Sequence, residues 1–405
     1  MTNFNRHIKM ENRNIPEGFE LFYNPITEKE VLRPIVGFSN KYIASDSFIP
    51  ETQTHKAKSI KGKNNSNLHA AKINKNDEFY TSLGDIIKEV KHYKKYFNGK
   101  VIYSPCDKAF NCGRSNFVEY FLSVFHDLGL KKFICTQYNP NGCGKMKVID
   151  FEKHGFMWEY HGEYSDGTKI DESMIDTEIL KGDGSFDSDE CQEIMKNSDI
   201  VITNPPFSKF REFLAQIIKY DKKFLIVGPF NAITYKDVFP LIKDNKVWLG
   251  MTNVSSFIQP DGTEKKFGNI GWYTNLEHNK RKDGIYIFKK YDENEYPKYE
   301  NYDAINVDKT KYIPIDYGGV MGVPVSFLNS YNPKQFEIIG CADAAIVPNG
   351  WNGMSKEFVE LYYKQGNTGS YKEGNRLACF VSKKGDAVVP YKRILVRHIE
   401  LPERH

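Results

Sequence analysis

The tightest constraint on this chain is a series of short runs that are apolar on both faces. "KVIYS" (100–104), "KKFICT" (131–136), "DIVIT" (199–203) and "KKFLIVG" (222–228) are too short for helices and do not alternate with polar residues. Strands buried on both faces read this way, and parallel sheets are where they occur. Helical spacing fills the intervals. Phe117, Phe121, Leu122, Phe125 and Leu128 make one stripe, and Phe210, Phe213, Leu214, Ile217 and Ile218 another. A third stripe, Leu83, Ile86, Ile87, Val90, Tyr93 and Phe97, precedes the first run and stops at Gly99. Strand and helix in alternation predict an α/β fold with a doubly wound, Rossmann-like sheet.

Around that frame the chain changes texture. Its 405 residues, 40% hydrophobic, suffice for a sizeable core and two or three domains. Residues 1–50 hold short strand-like pieces ("FELFYNP", "EVLRPIVGF", "KYIASDSF") and read as a small N-terminal module of unknown role. Residues 51–76 are polar and basic, the pattern of a linker or arm ordered on a polyanion. The α/β domain spans 77–275, and a β-rich C-terminal region spans 276–405. "KVWLG", "NIGWYTNL" and "GIYIFKK" are expected strands there and before it, "KVIDFEKHGFMWEY" an expected hairpin, and "EIL" a short strand ending at the turn from Gly182 to Ser185. The apolar runs are all too short to span a membrane, and the N-terminus lacks a signal peptide's apolar stretch, so a cytoplasmic protein is expected. Seven cysteines without a CxxC pair fit reduced thiols and match no zinc spacing.

In a doubly wound sheet, ligands bind beyond the carboxyl ends of the strands. Four segments deliver polar residues there: "SPCD" (104–107), "GDGSF" (182–186), "NPPF" (204–207) and "GPFNAI" (228–233). "NPPF" is the most informative. Its prolines fix φ and remove two donors, which stiffens the loop and leaves a carbonyl outside the ladder. Asn204 adds an amide oxygen, and Phe207 a flat face. Two oxygens and a ring suit an aromatic amine, although a Pro-rich turn that merely ends a strand has the same spelling.

Three separated stretches, in order, carry a resemblance. "AKINKNDEFYTSLGDI" upstream, "ITNPPFSKFREFL" in the middle and "GVPVSFLNSYNPKQFEIIG" downstream resemble the EcoRI-like adenine-specific DNA methyltransferase family, from about Leu68 to the C-terminus. The resemblance implies a methyltransferase sheet with a C-terminal target-recognition region. It implies transfer of a methyl group from S-adenosylmethionine to N6 of a flipped-out adenine in double-stranded DNA. Asn204, Pro205, Pro206 and Phe207 would be the catalytic residues. Phe79, Tyr80, Thr81, Asp107, Gly113, Asp183 and Phe186 would bind the cofactor, Asp183 at its adenine amino group and Phe186 on its ring. Phe230 would wall the pocket. Lys280, Arg281 and Lys282 would contact DNA phosphates. No metal is expected. The chain would act as a monomer, away from membranes, without requiring a cognate restriction endonuclease.

Two departures stand out. The segment after the first strand, "SPCDKAFNCGRSNF", lacks a Gly-x-Gly, and the acid expected at the end of the second strand is replaced by Thr136 and Gln137. The residues also admit methylation of RNA or of a protein glutamine, or a DNA-binding relative that has lost the chemistry. The intact "NPPF" and the long C-terminal region favour methylation of DNA.

Overall fold

A computed structural model describes residues 19–24, 29–34, 80–107, 115–150, 152, 175–258, 264–266, 268–343 and 346–400. β1 (Phe19–Asn24) and β2 (Lys29–Pro34) pair antiparallel, as two of the three expected N-terminal pieces would; the third lies outside the described residues. β3 (Tyr80–Thr81) leads to α1 (Leu83–Val90), whose first turn is capped by Ser82 Oγ accepting from Asp85 N at 3.2 Å. The helix tightens into a 3₁₀ segment, Lys91–Tyr96, and the chain turns at Gly99 with φ 69°.

The main elements follow. β4 (Val101–Pro105), α2 (Asn116–Val124), β5 (Lys132–Gln137), β6 (Lys145–Asp150) and β7 (Asp176–Ile179) come first. Next are α3 (Asp189–Asn197), β8 (Ile200–Thr203), α4 (Phe210–Lys219), β9 (Lys223–Pro229) and α5 (Phe239–Lys243). β10 (Trp248–Asn253), β11 (Ser256–Ile258), β12 (Glu264–Lys266) and β13 (Ile270–Thr274) complete this part.

One eight-stranded sheet runs β10-β13-β9-β8-β4-β5-β6-β7. Its centre, β9, β8, β4 and β5, is parallel. β13 is reversed between β9 and β10, and β6 is reversed between β5 and β7. Two reversals restore direction, so β10, β9, β8, β4, β5 and β7 all end on one border. The chain steps from β4 to β5 on one side and continues through β8 and β9 on the other. The carboxyl ends of β4 and β8 therefore flank the switch point, where a crevice must open.

The two-faced burial read from the sequence holds strand by strand. Ile102, Ile200, Ile202, Leu225 and Val227 face a core shared with α1 and α2. Tyr103, Val201, Phe224 and Ile226 face the opposite core, shared with α4. That second core continues without a break into the C-terminal region through Phe327, Phe336, Ile338 and Val396.

The C-terminal region holds β14 (Ala304–Asn306), β15 (Val320–Pro324) and β16 (Phe336–Cys341), then α6 (Lys356–Lys364), β17 (Phe380–Val381), β18 (Ala387–Val388) and β19 (Arg393–His398). β14-β15-β19-β16 form a four-stranded sheet, and β17 pairs with β18.

Three expectations change. "GIYIFKK" forms no ladder beyond one bridge from Lys289 to Pro314: at Ile285 the Gln335 carboxamide takes the place of a neighbouring strand, accepting from Ile285 N at 2.7 Å and donating to Ile285 O at 2.9 Å. The first residues of "KVIDFEKHGFMWEY" do not open a hairpin within that segment; they end β6, which pairs antiparallel with the preceding β5 and with the later β7, and most of the rest lies outside the described residues. The strand expected at "EIL" begins earlier, at Asp176, and stops at Ile179.

Candidate active site

The four expected segments all arrive at the carboxyl border. After β4 the backbone turns through Cys106, which holds a left-handed φ of 69°, and delivers Asp107 to a buried position. Asp107 Oδ2 lies 2.7 Å from Ser104 Oγ and 2.7 Å from Thr203 Oγ1. Each hydroxyl also reaches a carbonyl, Ser104 that of Ile202 and Thr203 that of Pro105. Each has one proton, so it serves the carboxylate or the carbonyl, not both. Burial pushes the Asp107 carboxyl up to about 6, against the pull of the Ser104, Ser115 and Thr203 hydroxyls.

Thr203 is the residue before Asn204. Its bond to Asp107 ties the "NPPF" loop directly to the turn after β4. Pro205 is buried, and Asn204, Pro206 and Phe207 are half-buried, with Asn204 Oδ1 shielded from water. Phe207 opens a 3₁₀ turn that runs into α4. Its ring meets the Phe257 ring edge-on, with centroids 6.1 Å apart and planes at 88°.

Phe257 links the upstream motif to the site. It lies on β11, which pairs with β3: Phe257 opposite Thr81 and Ile258 opposite Tyr80. Asn116 Nδ2, at the start of α2, donates to Thr81 O at 2.8 Å. Tyr80 and Thr81 are thus brought beside β11 and the start of α2. Phe79 and Gly113 lie outside the described residues. Thr81 Oγ1 is buried and has no hydrogen-bond partner among the described residues.

Past the neighbouring strand end, "GDGSF" packs against the end of β5. Asn139 N donates to Asp183 O at 2.8 Å, and Gly144 N to Gly182 O at 2.8 Å. Gly184 sits at φ 77°, and a side chain there would strike Gln137 O; one at Gly144 would strike the backbone of Gly184. Asp183 Oδ1 accepts from Ser185 N at 2.9 Å and so sets its own turn.

Phe186 requires a correction. Its ring is 6% exposed and packs edge-on against Phe213 at 4.9 Å, so it belongs to the core below the border. The exposed ring next to Asp183's partner Asn139 is Tyr138, half exposed at 51%. The second missed residue is Gln137 itself. Its Oε1 is buried and has no partner among the described residues. At the end of β5, where an acid is expected, the chain has this carboxamide, whose oxygen is likewise an acceptor. Phe230, half-buried after β9, packs where Gly271 has no side chain.

The residues present fit a nucleoside-bearing methyl donor. Thr81 Oγ1 and Gln137 Oε1 are polar atoms withheld from water and without partners among the described residues.

The basic cluster requires a second correction. β10 is a border strand of the sheet, and the segment after β13 covers it. His278 Nε2 bonds Leu249 O at 2.9 Å, and Lys280 Nζ donates to Met251 O at 3.2 Å. Arg281 is 6% exposed; its guanidinium lies 4.0 Å over Trp248 and bonds Asn245. Arg281 is therefore not a surface contact for phosphate, and Lys280 is engaged with the backbone. Covering exposed strand carbonyls is how a sheet border avoids pairing with other chains. Lys282 alone of the three is exposed.

An α/β sheet of this order, with Asn-Pro-Pro-Phe across its switch point from a buried acid, is the frame of a methyltransferase. The chain matches the family described as "Adenine-specific methyltransferase EcoRI" over residues 67–399, and it belongs to that family. It is 48% identical to Type II methyltransferase M.EcoRI of Escherichia coli over 295 residues, 68% of this chain and 89% of the relative. It is 39% identical to Type II methyltransferase M.MpnI of Mycoplasma pneumoniae and 37% to M.MgeORF184P of Mycoplasma genitalium, with 68% of this chain covered in each case and 85% and 86% of the relatives. No solved structure matches the chain.

Proposed function

We propose that this chain methylates N6 of a flipped-out adenine at a specific sequence in duplex DNA, with S-adenosylmethionine as donor. One observation carries the reading: the 2.7 Å bond from Thr203 Oγ1 to Asp107 Oδ2 joins the amine clamp to the acid on the far side of the switch point. When bound, the cofactor supplies an electrophilic methyl group on a sulfonium. Adenine N6 is a weak nucleophile because its lone pair is delocalised into the ring. Asn204 Oδ1 and the Pro205 carbonyl accept from its two N–H bonds and favour a pyramidal nitrogen. The rigidity of Pro205 and Pro206 holds these acceptors in place, so rate comes from positioning and electrostatics. Phe207 stacks on the extruded base.

On the cofactor side, Asp183 accepts from the adenine amino group, Tyr138 packs on that ring, and Gln137 and Thr81 bond ribose or methionine groups. Asp107 holds the polar end. Residues 276–405 serve as the target-recognition region, residues 51–76 as a basic arm along the phosphates, and residues 1–50 as a separate module. Lys282 remains as a phosphate contact. The chain acts as a monomer, and any cognate endonuclease is a separate protein.

The test is to incubate the chain with labelled cofactor and unmethylated duplex DNA, RNA or protein, digest, and identify the product. N6-methyladenine in DNA is expected. Label confined to RNA or protein would overturn the reading, and tight DNA binding without transfer would mark a catalytically dead relative.

A further inference from the structure

α1 carries two carboxylates that the proposed chemistry does not use. Glu89 is completely buried and takes four donors: Met251 N at 2.7 Å, Thr252 N at 2.6 Å, Thr252 Oγ1 at 2.6 Å and Tyr93 OH at 2.8 Å. Burial raises its pKa, and those donors oppose the rise. Asp85, one turn earlier, is 3% exposed and takes Ser255 N at 2.9 Å, Ser256 N at 3.3 Å and Ser255 Oγ at 3.1 Å. Lys88 lies 3.7 Å from Asp85 but is itself exposed. Gly250 has no side chain where Glu89 passes.

Every one of these bonds except that from Tyr93 falls on a single connection, the stretch from Met251 to Ser256. Two buried carboxylates are a costly way to pack a helix on a strand, and apolar residues would do it more cheaply. What carboxylates add is a fixed position for each amide they accept from. The next residue is Phe257. It is completely buried, its ring meets Phe207 at 88°, and its backbone pairs with Thr81.

We propose that Asp85 and Glu89 are positioning residues for the target base: they hold the stretch from Met251 to Ser256 so that Phe257 sets the plane of the Phe207 ring. The proposal rests on the reading that Phe207 stacks on the extruded adenine. A stacking ring must lie parallel to its base, and an edge-on neighbour fixed from behind prevents the ring from tilting. Small errors in such a placement cost large factors in rate.

Glu89→Ala risks unfolding, so gentler changes carry the test. Thr252→Val removes one hydroxyl bond to Glu89 and keeps the backbone bond. Ser255→Ala does the same at Asp85. Each is compared with wild type for melting temperature, cofactor dissociation constant, single-turnover methylation of duplex DNA, and fluorescence of 2-aminopurine placed at the adenine that the wild-type chain methylates. Melting and cofactor affinity should stay near wild type, the affinity within about twofold. The single-turnover rate should fall by about tenfold. The probe should still be extruded but remain brighter, because it stacks less well on Phe207. Phe257→Leu should give the same loss of rate and the same brighter probe, with a lower melting temperature from the cavity it leaves, and Thr252→Val combined with Phe257→Leu should be no slower than Phe257→Leu alone, since both act on one ring. Multiplied losses in the double variant, full-rate single variants, or a rate loss matched by an equal loss of cofactor affinity would each overturn the proposal. A wild-type chain that transfers no methyl group to DNA would overturn the reading of the site, and this proposal with it.

Discussion

Two borders of the same sheet treat their polar groups in opposite ways. At the lateral border, several backbone groups of β10 find partners within the chain. Leu249 O is met by His278, Met251 O by Lys280, and Met251 N and Thr252 N by Glu89. At the carboxyl border, Thr81 Oγ1 and Gln137 Oε1 are buried without partners among the described residues. A buried polar atom left unpaired costs stability. The lateral border has such atoms too, His278 Nδ1 and Arg281 Nε, so the contrast lies in the backbone: the β10 groups are met, whereas the unpaired side-chain atoms of the carboxyl border lie on the segments of the proposed site. The titrating groups show the same contrast. Burial pushes His278 down to about 4, where it stays neutral and its Nε2–H serves a carbonyl. Burial pushes Asp107 up to about 6, against the hydroxyls that hydrogen-bond it.

The sharpest way to break the contrast is at the carboxyl border. Asn204→Ala should lower methyl transfer by about a thousandfold or more while cofactor affinity and melting temperature persist. Near-normal turnover in steady-state assays would remove the clamp.

At the lateral border the expected loss is in stability instead. Arg281→Ala empties the space over Trp248 and should destabilise by about 2–4 kcal/mol in urea titrations. Affinity for DNA, and its salt dependence, should hardly change. Weaker DNA binding with unchanged melting would return Arg281 to the phosphate surface.

The two borders should also respond to pH with opposite signs. The unfolded His278 side chain binds a proton below its ordinary 6.5, whereas the folded one does so only below about 4. Stability from His278 is therefore lost as pH falls from about 6.5 to 4, on the order of 2–3 kcal/mol. Asp107 keeps its proton in the folded state until about 6, against 3.8 ordinarily. Its contribution is lost as pH rises from about 4 to 6, on a similar scale. Urea midpoints between pH 4.5 and 7.5 should show less acid destabilisation in His278→Gln than in wild type. Asp107→Asn should gain on wild type most above pH 6. A His278→Gln variant with the wild-type slope would contradict the assignment.

The smallest effect concerns the cofactor side. Gln137→Ala should weaken cofactor binding by about tenfold in calorimetry, with melting of the unliganded chain unchanged or slightly raised, because the lost acceptor had no partner. Unchanged affinity would remove Gln137 from the site.

Much of this architecture was legible in the residues. The four two-faced runs became β4, β5, β8 and β9, and the segments that follow them stand at the carboxyl border. The prolines of "NPPF" stiffened the loop wherever it lay. The misreadings share one cause. "GIYIFKK" has the apolar run of a strand, but Ile285 is met by a glutamine side chain from residue 335 and only Lys289 bridges another segment. Lys280, Arg281 and Lys282 look like a basic run facing phosphates, but Met251 O takes up Lys280 and Trp248 takes up Arg281. Phe186 follows a turn like a pocket residue, but Phe213 was waiting beneath it.

The sequence alone determined periodicity, and periodicity depends on residues a few positions apart. It was enough to assign strands, helices, the faces they bury and the border at which the polar loops emerge. Only the tertiary structure decided which polar atoms would be matched. Glu89 meets Met251 and Thr252 across more than 160 residues of chain, and Asp107 meets Thr203 across 96. Hydrogen-bond satisfaction belongs to the packed whole, so only packing decided which of these groups met a partner and which did not.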